Sequence, residues 1–147
     1  MHILVLGAAG MVGRKLTERL VRDGRLGGRE ITHLTLQDVV APQNPAGNTI
    51  PTKLVTSDFA DLGTAAPLTS ERPDVIFHLA AIVSGEAEVE FDKGYRINLD
   101  GTRYLIDAIR AIGGGYKPRL VFTSSVAVFG APFPDKIGDE FLSAPLT

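Results

Sequence analysis

The sequence predicts a doubly wound α/β domain, a parallel sheet carrying helices on both faces. Short apolar runs bounded by turn residues alternate with helical stretches from one end of the chain to the other. Strands covered on both faces read as such near-continuous apolar runs, and crossover helices connect them. The 147 residues are enough for one domain with a substantial core.

Each element has its own signal. Ile3-Leu4-Val5-Leu6 reads as the first strand. The small-residue turn Gly7-Ala8-Ala9-Gly10-Met11-Val12-Gly13 leads into an amphipathic helix. There Val12, Leu16 and Leu20 recur every four residues, opposite Arg14, Lys15, Glu18 and Arg19. Gly24 to Arg29 reads as an extended loop, and Ile31 to Leu36 as the second strand, ending in Gln37-Asp38. A loop rich in Pro, Asn and Gly, from Ala41 to Asn48, precedes a third strand containing Lys53-Leu54-Val55; Ser57-Asp58-Phe59 follow. Pro67 limits a short helix within Leu62 to Ser70. Pro73-Asp74 introduces the fourth strand, Val75 to Leu79. A long helical region from Glu86 to Ile112 is expected to be interrupted near Lys93-Gly94. Its apolar stripe is Leu105, Ala108, Ile109 and Ile112, and Gly113-Gly114-Gly115 ends it. Leu120 to Thr123 is the fifth strand and leads to Ser124-Ser125, after which Pro132, Pro134 and Pro145 mark an irregular tail.

Composition narrows the function classes. A net charge of −2 and a hydrophobic fraction of 44% fit neither a disordered chain nor a basic nucleic-acid-binding face. Without cysteine there is no disulfide framework or thiolate metal site. His2, His33 and His78 lack metal-ligand spacing, so no metal is expected. The apolar runs are too short to span a membrane, and the expectation is a cytoplasmic soluble protein.

The first turn carries the chemistry. A buried strand, a turn of small residues and a helix N-terminus together make a seat for a pyrophosphate. Gly7 takes a backbone conformation barred to residues with a Cβ, Gly10 lets the backbone approach the phosphates, and Gly13 lets the helix sit close to the sheet. Free N–H groups near Met11 and Val12 then face the anion, aided by the helix dipole. Asp38, at the end of the second strand, suits the hydroxyls of an adenosine ribose and repels a 2′-phosphate. NAD is therefore favoured over NADP, although Arg14 is placed to accommodate a 2′-phosphate. Ligands of such sheets bind at the carboxyl ends of the strands.

Several motifs then appear in order: Gly7-x-x-Gly10-x-x-Gly13, Asp58, His78-Leu79-Ala80-Ala81, Asn98-x-x-Gly101-Thr102, and Ser124-Ser125-Val126-Ala127-Val128-Phe129-Gly130. Together they resemble the extended short-chain dehydrogenase/reductases, the group that contains nucleotide-sugar epimerases and dehydratases. Within it, Gln37 to Pro42 and Ala81 to Glu86 look most like D-erythronate dehydrogenases. The resemblance implies a Rossmann-type NAD-binding domain over residues 1–130. It also implies that the sheet is truncated after about the fifth strand. Residues 131–147 would be an irregular tail leading to a missing catalytic pair and a missing C-terminal substrate region.

The resemblance implies roles position by position. Asp58 and Phe59 would flank the adenine, with Asp58 accepting from its exocyclic amine. Leu79, Ala80 and Ala81 would line the cofactor, with Thr123 and Ser124 also against it. His78 reads better as a core histidine than as a catalytic group. Asn98 would support a water and backbone relay, and Ser125, five residues before Gly130, would donate a hydrogen bond to the substrate oxygen. Ser84 and Gly85 would reach substrate, and Phe129 would wall the pocket. The family's base is a tyrosine in Tyr-x-x-x-Lys, its pKa lowered from about 10 by the lysine. None of Tyr95, Tyr104 and Tyr116 has lysine at the fourth following position. The expectation is the amino-terminal piece of a longer NAD-dependent enzyme that binds NAD without turnover. The intact enzyme would act on a sugar acid or a nucleotide sugar, and its homodimer is implied by resemblance only. The alternative is a non-catalytic dinucleotide-binding module.

Overall fold

The computed structural model describes residues 1–130, 132 and 134–145; residues 131, 133, 146 and 147 of the expected tail lie outside the described residues. In chain order the strands are β1 (His2–Leu6), β2 (Arg25–Leu26), β3 (Arg29–Glu30), β4 (His33–Asp38), β5 (Thr52–Thr56), β6 (Val75–His78) and β7 (Arg119–Phe122). The helices are α1 (Met11–Asp23), α2 (Ala65–Ser70), α3 (Ser84–Val89), α4 (Phe91–Tyr95) and α5 (Gly101–Ile112). Five strands form one parallel sheet in the spatial order β5-β4-β1-β6-β7. The first strand is central, and the chain winds outward from it in both directions. This is the predicted doubly wound, Rossmann-like sheet.

Alternation along β1 divides the core in two. Ile3 and Val5 pack with Leu20 of α1 and with Leu34 and Leu36, while Leu4 and Leu6 pack with Leu68 of α2 and Leu105 of α5. At one edge β7 is exposed along its whole length, Phe122 being 53% accessible.

Local structure departs from expectation at four places. The buried residues of α1 are Gly13, Thr17 and Leu20, whereas Val12 is 54% exposed. The helix approaches the sheet through its glycine, which swings Val12 outward. Gly24 to Arg29 is not a plain loop: β2 and β3 form an antiparallel ribbon, turned by Gly27 and Gly28 at positive φ. The second strand of the main sheet begins at His33 rather than Ile31, because Ile31 donates its N–H to Gly24 and Thr32 to Met1.

The break in the long helical region falls at Glu90 (φ −117°, ψ 70°), not at Lys93-Gly94. Gly94 lies inside α4, where a Cβ would come within 2.9 Å of the Ala87 Cβ; it serves the packing of α4 on α3. Between α4 and α5, residues Arg96–Asp100 form a widened π-type turn.

Candidate functional site

The turn after β1 is built by contacts that only glycine permits. Gly7 has φ +84°, and a Cβ there would lie 2.7 Å from the Ala80 nitrogen. A Cβ on Gly13 would lie 2.1 Å from the Gly7 carbonyl oxygen. Gly7 thus lets β1 and the segment after β6 converge, and Gly13 lets α1 close onto the turn. The N–H groups of Gly7 and Ala8 donate to the Gln37 carbonyl, and that of Ala9 donates to Asp38 Oδ2 at 2.8 Å. Gly10, the N-cap, contributes no side-chain oxygen, so Met11 and Val12 start the helix without a side-chain cap.

Four strand ends converge on a cleft of about 550 Å³ at the carboxyl edge of the sheet. Of the residues expected to hold a cofactor, Gly7, Gly10, Asp38, Asp58, Phe59, Leu79, Ala80 and Ala81 line it. Met11, Val12 and Gly13 stand behind the turn, in α1, and the cleft is not walled by their side chains.

Two carboxylates face the cleft, Asp38 from the end of β4 and Asp58 from the loop after β5. Asp38 is braced at both oxygens, by the Ala9 N–H and, at 3.1 Å, by the Val40 N–H. Asp58 accepts from Ala60 N–H at 2.9 Å and from Arg96 Nη2 at 2.7 Å, while Arg96 Nη1 reaches Asp61 at 3.1 Å. Partial burial pushes the Asp58 carboxyl upward, but the Arg96 hydrogen bond and the Ala60 N–H outweigh it and hold the group below the usual carboxylate range. Each oxygen retains a lone-pair direction for a ligand donor.

The rest of the wall was not singled out from sequence. Arg96 and Ile97 belong to the π-type turn, and Lys93 of α4, which lines the cleft together with Glu86 of α3, donates to that carboxylate at 2.5 Å. Gln37 is 1% exposed; its Nε2 donates to the Ser57 carbonyl at 2.7 Å and its Oε1 has no hydrogen-bond partner among the described residues. A polar residue alternating with leucines in β4 was the available signal for Gln37, whereas nothing local marked the Arg96–Asp58 pair, 38 positions apart.

Asn98 sits in the same widened turn. Its Nδ2 donates to the Ile82 carbonyl at 3.1 Å, and its Oδ1 accepts from the Ile82 N–H at 3.0 Å. This two-point clamp fixes the segment that follows β6, whose Ile82 lines the cleft. Phe59 is 4% exposed and has one edge at the cleft; its ring packs on His78 at 5.0 Å between centroids and fills the space left by Gly101. His78 is 1% exposed, with Nε2 2.9 Å from Thr102 Oγ1. Burial pushes its pKa down to about 4, so the ring is neutral near pH 7. It is a core histidine, as expected.

The serine motif lies apart from the cleft lining. Thr123 donates its N–H to the His78 carbonyl at 3.2 Å, and both Thr123 and Ser124 are exposed. Ser125 caps a 3-10 turn, Val126–Phe129, its Oγ accepting from the Ala127 N–H at 3.2 Å. Ser84 is the first residue of α3, and Gly85, next to it, is exposed with open space where a Cβ would stand. Phe129 packs edge-on against Phe141. No helix among the described residues is long and apolar enough to cross a membrane.

Comparison with known proteins agrees with this arrangement. The model of the NAD dependent epimerase/dehydratase family matches residues 3–147. A D-erythronate dehydrogenase from Cupriavidus necator is 40% identical over 144 residues, 95% of this chain and 43% of its own length. Among solved structures, a nucleoside-diphosphate-sugar epimerase from Agrobacterium tumefaciens superposes with a TM-score of 0.93 at 64% identity; 99% of this chain and 43% of that one are covered. A uronate dehydrogenase variant from Agrobacterium tumefaciens, complexed with NAD, superposes with a TM-score of 0.73 at 31% identity, covering 98% of this chain and 48% of that one. The chain therefore spans less than half the length of these relatives, 43–48%.

Proposed function

The chain belongs to the NAD dependent epimerase/dehydratase family, and from that premise we propose that its cleft binds NAD for oxidation of a secondary hydroxyl on a sugar acid such as D-erythronate. One observation carries the binding half: a turn closed by Gly7 and Gly13, neither of which admits a Cβ, backs a cleft at the carboxyl ends of the strands that Gly7 and two braced carboxylates line. The uncapped N-terminus of α1 takes the pyrophosphate. Asp38 accepts from the ribose hydroxyls, Asp58 from the adenine amine beside Phe59, and Leu79 to Ala81 leave room for the second ribose, with Thr123 and Ser124 beyond.

Bound NAD supplies the hydride acceptor; the chain supplies orientation. The Ser125 hydroxyl donates a hydrogen bond to the substrate oxygen, and Ser84 and Gly85 border the substrate. Asn98 acts as a positioning residue through its clamp on Ile82. No Tyr-x-x-x-Lys occurs among the 147 residues, so these residues bind NAD without turnover. The sugar-acid assignment is supported by the D-erythronate dehydrogenase relative, and a nucleotide-sugar epimerase is the second reading, favoured by the 64% identical neighbour. Exposed Phe91 and Tyr95 in α4, Leu99 in the π-type turn and Ile106 in α5 support a homodimer through this helical region.

Calorimetric titration with NAD, NADP and ADP-ribose tests the binding half. Saturable binding with NAD preferred over NADP is expected. Absence of NAD binding to folded protein would sink the proposal, and reduction of NAD by D-erythronate on these residues alone would sink the claim of no turnover.

A further inference from the structure

At the opposite end of the sheet from the cleft, three side chains with metal-binding chemistry meet. His2 opens β1 and His33 opens β4, and the parallel register makes them Cα partners. Their rings stand edge to face, 4.8 Å apart between centroids. Glu71 follows α2 on the same side of the sheet, since Leu4, two residues beyond His2, packs against Leu68 of that helix. One ligand atom from each of His2, His33 and Glu71 falls within 4.8 Å of the others.

We propose that His2, His33 and Glu71 form a binding site for a borderline divalent transition-metal ion of the Zn²⁺ class. Two imidazoles and one carboxylate are the donor set such ions prefer, in contrast to the all-oxygen sets of Mg²⁺ and Ca²⁺. Bond lengths of about 2.0–2.2 Å put tetrahedral ligands roughly 3.4 Å apart, so small side-chain rotations close the observed spacing onto an ion. Water completes the fourth position, because all three side chains are at least partly exposed.

The surroundings supply what a ligated histidine needs. Thr35, 1% exposed, holds its Oγ1 2.9 Å from His2 Nε2. With Nε2–H donating to that hydroxyl, Nδ1 keeps its lone pair for the metal, the outer-shell arrangement that fixes tautomer and ring orientation. Lys53 Nζ lies 2.5 Å from Glu71 Oε1, leaving Oε2 as the metal ligand and making Lys53 a competitor of the ion. Neither contact involves the dinucleotide cleft, which lies about 13 Å away along β1 at roughly 3.3 Å per residue. The site staples the end of α2 to β1 and β4.

Zn²⁺ titration of tag-free protein, read by calorimetry and by metal content after gel filtration, tests this. One Zn²⁺ per chain is expected, with NAD affinity unchanged. His33→Ala and the exposed Glu71→Gln should each weaken Zn²⁺ by more than about tenfold, and Thr35→Val by about tenfold. Lys53→Met should tighten it, a gain that misfolding does not imitate. Equal Zn²⁺ affinity in the parent and in folded Glu71→Gln protein, no saturable uptake, or no gain in Lys53→Met would overturn the assignment.

Discussion

Replacing Gly10 by alanine should separate ligand binding from folding. Gly10 has φ −66° and ψ 165°, a conformation alanine adopts freely, and its Cβ would meet only the Gly7 carbonyl oxygen, at 3.4 Å. Two terms then act on stability. Restricting the unfolded chain contributes about 0.4–1 kcal/mol, and an alanine N-cap costs about as much relative to glycine. The net change is within about 0.5 kcal/mol. The new methyl group nevertheless stands at the mouth of the turn, where the phosphates must approach. An overpacking cost of about 1–3 kcal/mol translates into roughly 5- to 150-fold weaker NAD binding. Gly13→Ala is the contrast. Its Cβ would sit 2.1 Å from the Gly7 oxygen and 2.7 Å from the Ala8 Cα, so α1 must withdraw by roughly 1 Å. Stability then falls by about 3 kcal/mol or more. Urea unfolding and NAD calorimetry on both variants are the assay. Gly10→Ala protein that binds NAD like the parent, or that loses stability as Gly13→Ala does, would refute the reasoning.

Three other outcomes follow from the same geometry. Asp38→Asn should weaken NAD by about 1.5–3 kcal/mol, the worth of a charged hydrogen bond, and narrow the NAD-to-NADP affinity ratio; an unchanged ratio in paired titrations would exclude Asp38 from ribose recognition. Arg96→Met should release Asp58 toward the ordinary carboxylate range. Because the Asp58 pKa is depressed in the folded state, its stabilisation is present above the unfolded pKa and lost as pH falls through the folded one. With side chains 40% and 28% exposed, the Arg96–Asp58 pair contributes no more than about 1 kcal/mol, read as a flatter acid limb in urea unfolding below pH 4. His78 titrates at about 4 when folded and at 6.5 when unfolded, so the unfolded chain takes up the proton first as pH falls. About 3 kcal/mol is lost between those values, and His78→Gln should make the dependence shallower when stability is measured from pH 7 to pH 4.

What sequence made legible was whatever short-range sterics dictate. Gly7 and Gly13 were readable because a turn between a strand and a helix leaves no room for a Cβ, and the distances to Ala80 and to the Gly7 oxygen bear that out. The break at Glu90 was not readable: Gly94 looks like a breaker in isolation and becomes a packing contact only once α3 lies against α4. The Arg96–Asp58 bridge and the Asn98 clamp on Ile82 depend on how the π-type turn aims two side chains three-dimensionally. A period of 3.6 residues carries no trace of that turn.

The β4 strand shows how one alternation can serve both ends of a sheet. Its even positions, Leu34 and Leu36, pack with Leu20 on the α1 side, while its odd positions are His33, Thr35 and Gln37. Two of these, Thr35 and Gln37, are 1% exposed. Polar groups in such a place cost free energy unless they are hydrogen-bonded; Thr35 meets His2 and the Gln37 Nε2 meets Ser57, while the Gln37 Oε1 has no partner among the described residues. Three valines or leucines would cover α2 and α5 at no such cost, so packing alone does not explain this face. Gln37 lines the dinucleotide cleft at the carboxyl end, and His33 stands beside His2 at the amino end. The same polar alternation therefore runs between the two sites, with Thr35 joining them. If the alternation serves the sites, Thr35→Val should leave the sheet intact by circular dichroism and NAD binding unchanged, while weakening Zn²⁺ about tenfold. Loss of NAD binding and of folding together in that variant would show instead that the polar face is required by the core.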